Sequence, residues 1–417
     1  MEAVSSVGKK DLALMNWKAN LTVLWFGQFM VMSGMSMVIP FLPLFIQEMG
    51  VTDPERVAVW AGVIFAANFI TAFLFQPFWG KIADRHGRKM MILRSGFGMA
   101  LVNILMGFSV TPWHLLLLRV VNGTISGFVP AATALVSTNT PREKTGLAMG
   151  LLQSGAVGGS ILGPFFGGLL ADWVGFRTIF FITGSLIFLA TLMAAFWVRE
   201  TFDAEAAAKQ KQLSLFKGFQ ELRRIPQMPA LFAVTLLIQF SILSSMPQIP
   251  LFIQEMHGNI EMLAFYAGLV GSVTGFSNML ASPFLGRWGD RIGSERILVI
   301  SLIGAAVAFI PQAFVQNIWQ LLAARFVLGL FMGGLLPSVN ALIRQYTPAG
   351  MESRAYGYNQ SFLAMGNMAG PTIGGLLSAW FGIRVIFILS TILLLINALW
   401  VRKTLFGEKK EQMLRDT

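Results

Sequence analysis

Twelve apolar stretches, each long enough to cross a bilayer as a helix, follow one another along this chain with mostly short polar gaps. They lie near residues 19–48, 57–80, 90–110, 113–137, 145–172 and 176–198, then 229–255, 263–286, 296–315, 319–343, 354–380 and 383–404. About 20 consecutive apolar residues cross the hydrocarbon core of a membrane. In lipid, backbone N–H and C=O groups must find partners within the chain, so such runs become helices. Of 417 residues, 55% are hydrophobic and 12% charged, against about 25% charged in a soluble domain. The sequence therefore predicts an all-α integral membrane protein with twelve transmembrane helices.

Lys and Arg set the orientation. Lys9, Lys10, Lys18, the bases from Lys81 to Arg94, Arg142, Lys144, those between Arg199 and Arg224, Arg287, Arg291, Arg296, Arg344, Arg354 and the tail fall in alternate gaps. The other gaps hold only Arg56, Arg177 and Arg384. An excess of Lys and Arg marks the cytoplasmic side, so both termini are expected in the cytoplasm, the chain being multi-pass in the inner (plasma) membrane. The net charge of +11 is thus a topology signal and gives no reason to expect a nucleic-acid partner. No cleavable signal peptide is apparent, since the first apolar run is too long for a signal-peptide core. Without cysteine, no disulfide or thiolate metal site can form; no metal or cofactor is expected.

The chain repeats itself. "PLFIQEM" at 43–49 recurs at 250–256, and "PFWGKIADRHG" at 77–87 matches "PFLGRWGDRIG" at 283–293. Arg119 and Gly123 match Arg325 and Gly329, and "GPFFGGLLADWVGFR" at 163–177 matches "GPTIGGLLSAWFGIR" at 370–384. These matches keep their order at an offset of 206 or 207. The domain reading is a six-helix half over 1–198, a cytoplasmic linker over 199–228, either tether or membrane-surface helix, and a second half with its tail over 229–417. Two copied six-helix halves suit a transporter that binds substrate between them and rocks.

Charge crowds into "GKIADRHGRK", where Gly80, Asp84, Arg85, Gly87, Arg88 and Lys89 stand at fixed spacing, with Asp290 and Arg291 in the copy. The glycines are read as turn positions, the bases as anchors, and Asp84 as an acceptor for a helix N-terminus, whose dipole favours an anion. A second pattern, "GAVGGSILGPFFGG", puts Gly155, Gly159, Gly163 and Gly167 on one helix face, with Pro164 and Gly168; Gly370 and Pro371 repeat it. Small residues four apart let another helix approach closely. A third feature is Arg119 inside the fourth span and its copy Arg325 in the tenth. A cation there costs about 2.5–3.5 kcal/mol on insertion scales and marks a cavity or a partner.

The first motif resembles the loop motif of the major facilitator superfamily, and the other two resemble motifs of its drug/proton antiporters with twelve spans. The copy departs from the first pattern at Ser294, which replaces a base. The resemblance implies the major facilitator fold, two pseudo-symmetric six-helix halves, and a latch from Asp84 to Ser353 and Arg354. It also implies small-molecule substrates and protons as coupling ion, and the two halves together suffice for a pathway in a monomer.

Polar residues inside spans are the candidate pocket lining: Gln28, Asn122, Gln153, Gln239, Tyr358, Asn359 and Gln360. Each is equally suited to bonding a neighbouring helix. Met30, Met32, Met35 and Met37 would add adaptable apolar surface. No Asp or Glu lies in the middle of a span. The candidates for proton coupling are Glu48 and Glu255, repeat copies at span ends, and Asp172. The expected function is export of drugs or other amphipathic toxic compounds by proton antiport through alternating access. The alternative is export or import of one defined metabolite, a sugar or an anionic solute. An enzyme is not expected, since no catalytic cluster is visible.

Overall fold

The structure is a computed structural model that describes the backbone of residues 17–141, 144–200, 220–348 and 351–415. The first span is α1 (Trp17–Met37) and α2 (Leu42–Glu48), broken by a short 3₁₀ turn at Ile39–Phe41. Then come α3 (Pro54–His86), α4 (Arg88–Gly107), α5 (Pro112–Ile125) with α6 (Phe128–Asn139), α7 (Thr145–Val174) and α8 (Phe176–Trp197). The second half runs α9 (Gln227–Ser245) with α10 (Ile249–His257), α11 (Leu263–Ile292), α12 (Ser294–Gln312), α13 (Ile318–Met332) with α14 (Leu335–Tyr346), α15 (Glu352–Phe381) and α16 (Arg384–Arg415).

The interruptions repeat. Spans one and seven break at a 3₁₀ turn holding Pro40 or Pro247. Spans four and ten break at Gly127 and at Gly333–Gly334. Proline lacks an N–H and glycine tolerates unusual torsions, so each break sits at a residue that weakens helix continuity.

Eleven of the expected spans form helices long and apolar enough to cross a membrane. The twelfth, α15, has 30 residues, but Tyr356, Tyr358, Asn359, Gln360 and Ser361 dilute its apolar character.

Among the described residues two compact units emerge, one from Trp17–Phe41 with 67–200, the other from Leu42–Ala66 with the chain beyond 219. In the first, α7 lies along α1 through its glycines. A Cβ on Gly159 would fall 2.8 Å from Ser33 N, and one on Gly167 would fall 2.6 Å from Met37 Cα. In the second, α15 lies along α9 in the same register: a Cβ on Gly366 would fall 2.8 Å from Gln239 Cβ, and one on Gly374 would fall 2.8 Å from Ser244 Cα. Real Cβ atoms do not come that close, so these positions admit only glycine without helix separation. Gly375 also meets α3, at Ala58 and Gly62.

Gly163→Leu is expected to destabilise the protein by about 1–3 kcal/mol, the usual cost of overpacking, since its side chain would enter Ser33 and Ser36. Gly150→Ala on the same helix has open space and should leave thermal unfolding in detergent unchanged. Equal melting of both variants would contradict this packing.

Candidate functional site

The charged motif after the second span is less of a loop than its sequence suggests. Helix α3 continues through Gly80 to His86, and α4 begins at Arg88. The turn is Gly87 alone, at φ 90°, a torsion that only glycine holds without strain. Gly80, expected in a turn, is instead helical with open space around its Cβ position, because the helix rises past the last apolar residues into the charged segment. The copy repeats this, with Gly293 at φ 99° after α11. Asp290 and Arg291 lie exposed in its last turn. The expected latch falls on the side chains of Asp84, Ser353 and Arg354, and the charge of Arg85 beside it is likewise outside the described side chains.

Two residues of that segment have clear work. Lys89 Nζ donates to the carbonyls of Ala195 and Val198 at 2.8 and 2.7 Å, the C-terminal end of α8. Glu200 accepts from the backbone N–H of Arg88 and Lys89 at 2.9 and 2.7 Å, the first turn of α4. Each charge meets the helix end of opposite partial charge. The adjoining Arg199 is tied by its backbone to Asn20 at 2.8 and 2.9 Å. Arg88 reaches Thr138 at 2.9 Å. Sequence reading missed Glu200, because a carboxylate just beyond a span looks like ordinary linker charge.

Arg94, one of the topology-setting bases in the sequence, has a specific local setting. Its guanidinium lies 3.4 Å from the centroid of the Trp79 ring, while Trp79 Nε1 donates to Thr124 O at 2.6 Å. Its three nitrogens are buried without hydrogen bonds, so the indole face is its described electrostatic partner.

The two in-span arginines are buried, but their surroundings differ. Arg325 donates from Nη2 to Ser245 Oγ at 2.9 Å and stands 5.8 Å from the Phe387 ring centroid. The repeat counterpart of Ser245 is Val38, so that position offers Arg119 no hydroxyl. Both arginines keep a buried Nε without a hydrogen-bond partner. One turn beyond Arg119, Asn122 joins a buried amide chain: Asn103 Nδ2 donates to Asn122 Oδ1 at 3.2 Å, and Asn122 Nδ2 donates to Asn68 Oδ1 at 2.7 Å. This binds α3, α4 and α5 together. At the repeat positions stand Thr274, Phe309 and Leu328, so the network is confined to the first unit.

Gln28 is fully buried, and neither its Oε1 nor its Nε2 has a hydrogen-bond partner. The second unit shows what that position lacks. Thr235, the counterpart of Gln28, donates to Asn359 Oδ1 at 2.7 Å. The counterpart of Asn359 is Leu152, which cannot accept. Gln239 and Tyr358 are half-buried, and Gln153 and Gln360 are exposed on α7 and α15. Phe362 stacks on Phe232 with centroids 5.3 Å apart; its counterpart is Gly155, which meets Trp25 instead.

The acids proposed for coupling sit on the surface of their helix ends. Glu48, Asp172 and Glu255 are exposed, and Glu255 pairs with Arg384 at 3.4 Å. Arg384 also donates to Ala313 O at 3.1 Å, as its copy Arg177 donates to Gly107 O and Ser109 O at 3.1 and 2.9 Å. Both arginines thereby satisfy carbonyls at or just past the C-terminal end of a preceding helix. Gln47 Nε2 donates to Gln254 Oε1 at 2.9 Å, so two copies of one repeat position bond each other.

This helical, internally duplicated membrane chain belongs to the Major Facilitator Superfamily, whose sequence profile matches residues 24–279 and 264–415. It is 42% identical over 385 residues to Multidrug resistance protein MdtG of Salmonella arizonae, covering 92% of this chain and 95% of the relative. The same figures hold for MdtG of Salmonella typhi. Its fold is shared by a bacterial homologue of the human lysosomal transporter Spinster, with TM-score 0.75, 16% identity, and 93% and 98% of the two chains covered. It is also shared by the nucleoside transporter NupG, with TM-score 0.74, 14% identity, and 94% and 99% covered. It is therefore a multi-pass membrane protein, as the spans predicted, of the major facilitator fold that the motif resemblance implied.

Glu200→Ala is expected to lower stability by about 1–3 kcal/mol through loss of two charge-assisted bonds. Glu221→Ala, on an exposed side chain, should change it by less than about 0.5 kcal/mol. Thermal unfolding of the purified proteins measures both.

Proposed function

We propose that this protein exports drugs or other amphipathic toxic compounds across the inner membrane by proton antiport with alternating access, both termini being cytoplasmic. The observation that carries the reading is 42% identity along 92% of the chain to multidrug resistance proteins. The glycine–proline helix in both units and the paired in-span arginines support it. Arginine stays protonated, so Arg119 and Arg325 do not carry the coupled proton. They provide fixed positive charge to a site whose other members change protonation or occupancy.

Gln28 supports a substrate contact. A buried primary amide with four unmet hydrogen-bonding positions is costly unless water or a ligand completes it. Asn122, by contrast, is spent on Asn68 and Asn103, and its role is to hold the helix carrying Arg119. The coupling step is assigned to the repeat-related acids Glu48 and Glu255. The reading as a carrier of a single metabolite is less favoured, since the buried arginines that would suit an anion are balanced by the antiporter motif. The protein works as a monomer in this proposal, each chain supplying both units.

Inverted vesicles with an acidified lumen test it. Several unrelated amphipathic compounds should each drive luminal alkalinisation. Arg119→Gln should reduce the response at least about tenfold, with the protein still inserted. The Glu48→Gln, Glu255→Gln double variant should uncouple transport from pH. A response to one metabolite alone would replace the drug-export reading, and unchanged coupling in the double variant would remove the acids.

A further inference from the structure

A cleft in the second unit lies apart from all the residues discussed so far. It holds about 350 Å³ and is lined by His257, Ile260, Glu261, Tyr266, Asn317, Ile318 and Trp319. That is within the range of small-molecule sites. Three elements build it. His257 ends α10, the turn that follows carries Ile260 and Glu261, and α11 supplies Tyr266 one turn after its start. The third element is the start of α13, where Asn317 caps the helix by accepting from Gln320 N at 2.9 Å.

The backbone of the turn is unusual. Met262, next to Glu261, holds φ 61°, the one positive φ at a non-glycine among the described residues. Such a torsion costs a side-chain-bearing residue free energy, and it is retained where the surroundings demand it. The turn delivers Glu261 to the cleft with an exposed carboxylate and with no ion pair to a described residue. Nearby Glu255, by comparison, is matched by Arg384.

The rings set the chemistry. Trp319 is 68% exposed, and Tyr266 is half-buried against the cleft. An aromatic face attracts a cation through its quadrupole, tryptophan most strongly. A carboxylate beside such faces adds charge attraction, and Ile260 and Ile318 add apolar wall. An exposed tryptophan at a span end is by itself an ordinary interface anchor. The combination with an unmatched acid and a second ring in one cleft is not. The sequence places an acid and two aromatic residues at the repeat positions Glu55, Trp60 and Trp113, so this spacing of acid and rings recurs in both halves.

We propose that this cleft is a binding site for an organic cation, a quaternary or protonated amine bearing an aromatic or alkyl body, with Glu261 opposing the charge and Trp319 and Tyr266 facing it. The site's use rests on the export reading above: in that orientation the cleft opens on the outer face, where a released cation would be held before it leaves. The binding itself does not depend on that reading.

The test is equilibrium dialysis of the full-length protein, in a detergent without ammonium groups and with no ion gradient. The probes are benzyltrimethylammonium and neopentylbenzene, its uncharged isostere. The expected result is saturable binding of the cation at one site per chain, weakened about tenfold in Glu261→Gln and about fivefold in Trp319→Leu. Glu221→Gln, six residues before α9 begins, should bind as the parent does. Both cleft side chains are exposed, and unchanged thermal unfolding checks that the variants fold; Glu261→Lys provides a second test without touching the rings.

Equal binding of neopentylbenzene would overturn the proposal, as would an unchanged affinity in Glu261→Gln. Displacement of the probe by glycerophosphocholine at lower concentration than by unlabelled cation would also overturn it, in favour of a lipid headgroup. The two readings fail separately. Glu261-dependent binding without drug-driven proton movement in vesicles removes the export reading and leaves the site. Proton-coupled export without such binding does the reverse.

Discussion

Helices in lipid gain little from burying apolar side chains against each other, because the surrounding hydrocarbon is equally apolar. What holds them is close approach and hydrogen bonding, and in this protein close approach is made by glycine. The stripe Gly159, Gly163 and Gly167 brings α7 onto the backbone of α1, and Gly366, Gly370 and Gly374 bring α15 onto α9. Gly123 and Gly329 do the same for the arginine-bearing helices, meeting the carbonyls of Asn68 and Thr274. The buried arginines are held where they are because glycine one turn away lets their helices press into a neighbour.

Most of this frame was legible in the sequence, for a physical reason. Spans follow from length and apolarity alone, and duplication shows as matched strings at one offset. The glycine pattern is visible because no other residue substitutes at such distances. The details of the charged segment were not legible. Its turn looked like a loop of several residues, but a helix can extend past the apolar span at no cost once its side chains reach water. Glu200 was invisible as a cap because it acts on backbone groups 111 and 112 residues away, and no local pattern encodes that reach. The pairing of Thr235 with Asn359, and hence the isolation of Gln28, also required the fold, since those residues are 124 positions apart.

Comparison of the two units separates scaffold from specialised chemistry. Contacts made through backbone recur: the glycine stripes, the arginine caps Arg177 and Arg384, and the single-residue turns at Gly87 and Gly293. The polar side-chain pairs around the buried arginines and Gln28 do not. Arg325 has Ser245 where Arg119 has Val38, and Thr235 has Asn359 where Gln28 has Leu152. Among the described residues, only the first unit joins three asparagines across three helices.

That division has a mechanical meaning. A polar group satisfied inside one unit is fixed to it and travels with it as a rigid part. A buried polar group left unsatisfied is raised in free energy, and any water, ion or ligand that completes it lowers the energy of that arrangement relative to others. A ligand shifts a conformational equilibrium only by its differential affinity for the states. Gln28 and the Nε of Arg119 in the first unit, and the Nε of Arg325 in the second, are buried polar groups of that kind, and under the export proposal they are where such a difference would arise. On the export proposal, the few buried groups that the fold leaves short of partners are where binding would bias one state over another.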